Sequence, residues 1–211
     1  MSECSLIRLE LVTRAAPLPL DERRATLIAA TEPLLERFGR EVSTRQIAEA
    51  AGVAEGTIFR AFATKEALID AVIEDAFNVQ HTCDELAKVD LGLSLEERLV
   101  AAVTILQERL RRVFALFGSL QLRREAHDHD RFRVKQQADN ELLNGAIATL
   151  IKPDQDRLRL DAVDAAGALR AITFAISHHI IGEQRLAEPQ QIVDLVLYGI
   201  CRQRSGKRSS C

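Results

Sequence analysis

The sequence predicts an all-α protein, and three observations predict it. Apolar residues recur at intervals of three and four over long stretches. Strand-like alternation of Val, Ile, Thr and Tyr is almost absent, and the 211 residues include no Trp and one Tyr. Helix breakers are scarce, ten Gly and five Pro, and fall mostly between the periodic stretches. With 47% hydrophobic and 28% charged residues and a net charge of −3, the chain reads as soluble and globular rather than disordered, collagen-like or disulfide-stapled. No apolar run approaches the ~20 residues that span a bilayer. Arg8, Glu10 and Arg14 interrupt any signal-peptide core, so a cytoplasmic location is expected. Cys4, Cys83, Cys201 and Cys211 lie too far apart for a zinc-ligand spacing and read as free thiols.

The first helix is expected from about Asp21, a candidate N-cap, with Leu27, Ala30, Thr31, Leu34, Leu35 and Phe38 on one face. Gly39 stands where a left-handed C-cap belongs. Pro33 removes one hydrogen bond and crowds the carbonyl of Ala29, so a bend without a break is expected between 29 and 33. Ser43-Thr44-Arg45-Gln46 has capping-box spacing and opens a short helix with Ile47, Ala48 and Ala51 inward, closed by Gly52. A second short helix covers about 55–62 with Ile58 and Phe62 inward, and a third runs from Thr64 towards Gln80. Residues 81–93 read as a connection. Ser94 to Glu97 forms another capping box, and Leu99, Val103, Leu106, Leu110, Val113 and Phe117 follow as the seam of a long helix. Further helices are expected over about 129–151, 161–181 and 189–203.

The segment Gln46 to Ile58 has the requirements of a helix-turn-helix. Ala48 is small where two helices touch, Gly52 lies four residues on at the turn, and Ile58 anchors the second helix. Read with Arg24, Phe38-Gly39, Ser43-Thr44, Ile47-Ala48, Ala51-Gly52-Val53, Gly56-Thr57-Ile58-Phe59, Phe62 and Thr64-Lys65-Glu66-Ala67-Leu68, the chain resembles the TetR family of transcriptional regulators. The resemblance covers about 50 of the 211 residues. It implies a flexible arm over 1–20, a three-helix DNA-binding domain over 20–80 with the helix-turn-helix at about 43–62, and a helical effector and dimerisation domain over 81–204. A disordered tail over 205–211 completes the expected layout.

The same resemblance implies roles for individual residues. Thr44 is expected to meet a phosphate, with Arg45 beside it reaching a base or phosphate. Gly56 lets the backbone approach DNA, Thr57 can touch a thymine methyl or a phosphate, and Arg60 is the long basic contact. Phe59 replaces the family's usual tyrosine and loses its hydroxyl. Lys65 corresponds to a lysine that meets the DNA backbone. Ala54 and Glu55 depart from the usual serine and lysine; Ala54 forfeits an N-cap worth about 1 kcal/mol, and Glu55 repels phosphate unless it accepts from a cytosine amine. Residues 21–70 hold seven Lys/Arg against nine Asp/Glu, so modest affinity is expected, assisted by Arg8 and Arg14 of the arm and by Arg23 and Arg24.

In the larger domain, the resemblance implies a ligand cavity and pairing of the last two helices across a two-fold axis. The expected cavity residues are Phe114, Phe117, Phe174 and His178, although each also fits plain core packing. The expected dimer residues are Ala165, Ala168, Leu169 and Ile172 on one helix and Ile192, Leu195 and Val196 on the next. The cluster Arg109-Arg111-Arg112 reads as solvated surface. Glu125-Ala126-His127-Asp128-His129-Asp130 is the strongest candidate for metal or acid–base chemistry, although a run this polar between two helices is more often a solvated loop. There is no phosphate-cradling loop, nucleophile elbow or zinc-protease motif, and no catalytic residue, metal or cofactor is expected. The function expected is a one-component regulator, a homodimeric repressor on a palindromic operator that a small molecule releases, with no membrane partner. The alternative is a metal-binding protein or enzyme centred on 125–130.

Overall fold

The computed structural model describes residues 19–120, 129–178 and 184–199. Among them run nine α-helices: α1 (Leu20–Phe38), α2 (Thr44–Ala51), α3 (Glu55–Ala61), α4 (Lys65–Phe77), α5 (Gln80–Ala87), α6 (Leu95–Leu120), α7 (His129–Ile151), α8 (Ala162–Ser177) and α9 (Pro189–Tyr198). Short 3-10 turns occupy 39–41, 152–157 and 184–186. The described residues contain no strand. The fold is all-α, a helix-turn-helix domain followed by a helical bundle.

Two hydrophobic cores organise these helices. The first gathers Leu27 and Leu35 of α1, Ile47 and Ala48 of α2, Ile58 of α3, and Leu68, Ile69 and Val72 of α4. The second joins α5 to α9 through Leu86, Leu99, Val103, Ile147, Leu169 and Ile192. The helix α6 enters both, because Leu116 and Leu120 at its C-terminal end lie in the first core while Leu95 to Leu106 lie in the second. A division of the chain at residue 80 therefore assigns to the larger domain two leucines that complete the smaller one.

The capping chemistry appears where the sequence places it. Ser43 Oγ accepts from Gln46 N while Gln46 Oε1 accepts from Ser43 N, and Ser94 and Glu97 make the same exchange at the head of α6. Thr64 caps α4, and Asp161 caps α8 by accepting from Val163 N and Asp164 N. The chain stays helical through Pro33.

Five expectations need correction. Residues 81–93 are not all connection, because α5 lies there with Thr82 and Leu86 buried; eight largely polar residues offer too few turns for a visible period. The helix α4 stops at Phe77, because Asn78 Oδ1 accepts from Gln80 N and turns the chain into α5. Asp21 does not cap α1, which opens one residue earlier behind Pro19, and Phe38 is exposed beneath the guanidinium of Arg37. Gly39 has positive φ as expected, but at φ 57°, ψ −143° it lies outside the left-handed helical well.

Away from the apolar cores, Arg98 is buried at the head of α6. Its guanidinium donates to the Leu91 carbonyl and to Asp154, which Arg157 also holds. Tyr198 of α9 donates to Glu96 nearby, so polar contacts tie α9 to the start of α6.

Gly39 also marks where the two parts of the molecule meet, since a Cβ added there would sit 2.7 Å from the Ser119 carbonyl oxygen of α6. Gly39→Ala should lower unfolding free energy by about 1–3 kcal/mol, from positive-φ strain and the backbone clash together. Denaturant unfolding measures this, and an unchanged midpoint would show that the turn does not press on α6.

Candidate nucleic-acid interface and ligand cavity

The helix-turn-helix is built from the inside outward. Ile47, Ala48, Ile58, Ala61 and Phe62 are buried, and Gly52 takes φ 65°, ψ 30°, the left-handed conformation that lets the chain reverse between α2 and α3. The opposite faces are left to solvent: Arg45 and Glu49 on α2, and Glu55, Gly56, Phe59 and Arg60 on α3 are exposed. Phe59 is 51% exposed, a large ring on an otherwise polar surface. Beyond the helix's own adjacent backbone, no described residue comes within 4 Å of a Cβ built on Gly56. The outer side of α3 is open, the geometry that a recognition helix needs to enter a major groove.

The expected DNA-facing residues divide into those held and those available. Thr44 donates its hydroxyl to the Glu55 carboxylate, so the departure at Glu55 is tied back to the start of α2. Arg45 donates to Glu49 at 3.0 Å. Thr57 is half-buried, its amide donating to the Ala54 carbonyl at 2.8 Å. Arg60 makes no hydrogen bond or ion pair with a described residue. Lys65 is not free: Nζ donates to the carbonyls of Arg40 and Val42 at 3.0 and 3.2 Å, closing the turn before α2. Arg24 is likewise structural, donating to the Ala61 carbonyl at 2.7 Å and stacking on the Phe62 ring at 4.2 Å. Arg8 and Arg14 lie outside the described residues.

Where α4 of the first domain meets α6, α7 and α8, these helices line an open-sided cavity of about 920 Å³, at the upper end of the range for small-molecule sites. It brings Phe114, Phe117, Phe174 and His178 together. Phe114 packs edge-on to Phe174 at 5.9 Å and to His178 at 4.9 Å, and Phe117 packs on Phe77 at 5.4 Å. Leu106, Leu110 and Val113 extend this apolar wall.

Apart from His178, the polar members of the lining escaped the sequence reading. Arg109 is not solvated surface. Its guanidinium donates to the carbonyls of Ala76, Phe77 and Asn78, the exposed end of α4. Burial holds its pKa down, an effect that the charge of Asp139 partly offsets. Arg112 grips Glu32 of α1 through two bonds at 2.7 and 2.8 Å, and this partner holds its pKa up. Only Arg111 of that cluster behaves as expected, exposed and paired with Glu108. A signal for Arg109 existed: it stands three residues after Leu106 and four before Val113, on the apolar face of α6. Arg170 of α8, also in the lining, had the same kind of cue, standing four residues before Phe174 and eight before His178.

The residues expected at a dimer contact do not share one environment. Leu169 and Ile192 are 0% exposed inside the protomer's own core and have no surface to offer a second chain. Ala165, Ala168, Ile172, Leu195 and Val196 are half-buried. Exposed apolar groups on the same two helices are Val163, Phe174 and Tyr198. Residues 125–128 of the acidic-histidine segment lie outside the described residues, as do the side chains of His129 and Asp130.

Residues 27–72, from α1 into α4, match the family model of the bacterial regulatory proteins of the tetR family. The match spans 46 of the 211 residues, the helix-turn-helix with the helices that flank it. Solved structures agree in fold. The TetR transcriptional regulator SCO0520 of Streptomyces coelicolor superposes with a TM-score of 0.55 at 24% identity, covering 84% of this chain and 97% of that one. The fatty acid degradation regulator FadR of Bacillus halodurans gives 0.54 at 18% identity, over 89% and 100% of the two chains. The SmeT–triclosan complex gives 0.51 at 20%, over 83% and 88%.

The Glu32–Arg112 pair is a polar tie between α1 and α6. A double-mutant cycle on Glu32→Gln and Arg112→Gln should return a coupling of about 1 kcal/mol that shrinks in salt, because both groups keep some solvent contact. Additive effects of the two substitutions would show that the tie contributes nothing.

Proposed function

We propose that the protein is a homodimeric, one-component repressor that reads a palindromic DNA site with α3 and lets go when a small molecule enters the cavity bounded by α4, α6, α7 and α8. The observation that carries the reading is the position of α4. Its N-terminal half packs in the core of the reading head, and its C-terminal end, Phe77, forms one wall of the cavity. Arg109 holds that same end from α6. A ligand that displaces Phe77, Phe117 or Arg109 thus acts on the helix behind α2 and α3.

Energetically little is required. A tenfold loss of DNA affinity corresponds to about 1.4 kcal/mol of preference for the released conformation. The SmeT–triclosan complex supports ligand control by analogy of fold. For the dimer, the outward faces of α8 and α9, with Val163, Ala165, Ala168, Ile172, Leu195 and Val196, are the surface we assign; two-fold pairing would set two heads about 34 Å apart on one face of the duplex.

Arg60, alone among the basic residues expected at DNA on α2, α3 and α4, has no competing partner among the described residues and is assigned the leading contact. Phe59 lies beside it as an apolar surface for a sugar or a thymine methyl, Gly56 allows close approach, and Arg45 must exchange Glu49 for phosphate. Thr44 and Thr57 supply hydroxyls at the head of each helix. Lys65 contributes by shaping the turn, with one ammonium hydrogen left for a phosphate. A regulator that meets the chromosome directly works in the cytoplasm, and nothing in this reading calls for an enzymatic step.

Mobility-shift titration with the duplex upstream of the protein's own coding region tests both halves. Arg60→Ala should weaken binding and lower the slope of log affinity against log salt by about one. Leu110→Trp, which narrows the cavity at its apolar wall, should leave DNA binding intact and weaken release by any small molecule that releases the wild type. Unchanged binding in Arg60→Ala would remove the α3 assignment, and release unchanged in its ligand dependence in Leu110→Trp would move the effector elsewhere.

A further inference from the structure

The charges in the cavity are unevenly matched. Asp70 and Glu74, on α4, are exposed, as is Lys135 on α7. Deeper groups are the half-buried Asp139, Arg109 and Arg170. Arg109 spends its donors on the α4 carbonyls and feels the charge of Asp139. Arg170 has neither kind of partner. Its Nε donates to Asn144 Oδ1 at 2.8 Å, and its terminal nitrogens bond no described residue. Burial pulls its pKa down, and no nearby charge offsets the effect.

A half-buried guanidinium whose four terminal N–H donors bond no described residue has them available for a ligand. Its planar fork matches a carboxylate in two parallel bonds, which low local polarity strengthens. Asn144 on α7 fixes the Nε side of the group, so the fork is held in orientation before a ligand arrives. Around it Phe114, Phe174, Leu106, Leu110 and Val113 offer an apolar body-binding surface.

We propose that the cavity takes an apolar molecule bearing one anionic group, a carboxylate or an anion of similar shape, and that Arg170 is the residue that grips it. This rests on the cavity being the effector site, and it adds the ligand's charge. A cationic ligand is disfavoured, because the half-buried carboxylate Asp139 already lies in the field of Arg109 while Arg170 would repel the newcomer.

Calorimetric titration of the full-length protein at neutral pH with decanoate, decan-1-ol and decylammonium separates the readings, since the three share one apolar body. Decanoate should bind about 10-fold or more tightly than either of the others. In Arg170→Met, whose thermal midpoint without ligand checks folding, the preference of decanoate over decanol should vanish while decanol affinity stays within about twofold. Should the variant fail to fold, the three-probe comparison on the wild type still decides. Equal binding of decanoate and decanol overturns the anion inference and leaves the cavity as an apolar ligand site. Preference for decylammonium overturns it in favour of Asp139 and the carboxylates of α4. Silence from all three probes overturns it and counts against the cavity as a ligand site as well.

Discussion

One helix belonging to two hydrophobic cores is the constraint on which the rest of the structure depends. The C-terminal end of α6 buries Leu116 and Leu120 among α1 to α4, and its first half buries Leu99, Val103 and Leu106 among α5 to α9. Between these ends, Arg109 and Arg112 fasten α6 to the last carbonyls of α4 and to Glu32 of α1. Apolar burial supplies the non-directional part of this junction. The two arginines supply direction, since guanidinium bonds fix the register of α4 against α6 in a way that leucines alone do not. The reading head is therefore held against the wall of the cavity and is not free on a linker.

That arrangement gives a physical meaning to the polar residues of the cavity. Arg109 is at once a cap for α4 and part of the lining, so the group that stabilises the helix end is also one that an occupant would meet. Packed interfaces tend to switch between discrete arrangements and not to deform smoothly, so a modest displacement at Phe77 or Phe117 has somewhere to go. The loss of broad basic charge from the head fits the same economy. Lys65 and Arg24 are spent on carbonyls that hold the turn and the end of α3, and under the proposed function this leaves a weakly basic surface whose DNA binding a small coupling free energy would reverse.

Much of this was legible in the residue order, and the exceptions have physical causes. The helix-turn-helix could be read because each of its demands falls on a distinctive residue: a small Ala48 at the helix contact, Gly52 with positive φ, and Ser43 and Gln46 in a capping box. The long period of α6 likewise announced itself. Phe114, Phe117, Phe174 and His178 do meet, because aromatic rings on facing apolar stripes share one interior. What stayed hidden were partners remote in sequence. Nothing local says that Arg112 will find Glu32, that Lys65 will find the carbonyl of Arg40, or that Leu169 and Ile192 will be covered by their own chain and not by a second one. The helix α5 was hidden for the opposite reason, being too short and too polar to show a period.

Hydrogen exchange on the full-length protein, with and without the duplex it recognises, tests the central claim most directly. The account predicts slowed exchange over 43–62 on binding DNA, continuing into the C-terminal turn of α4 at 74–78 that α6 holds. Protection confined to α7 and α8, with 43–62 exchanging as in the free protein, would contradict it.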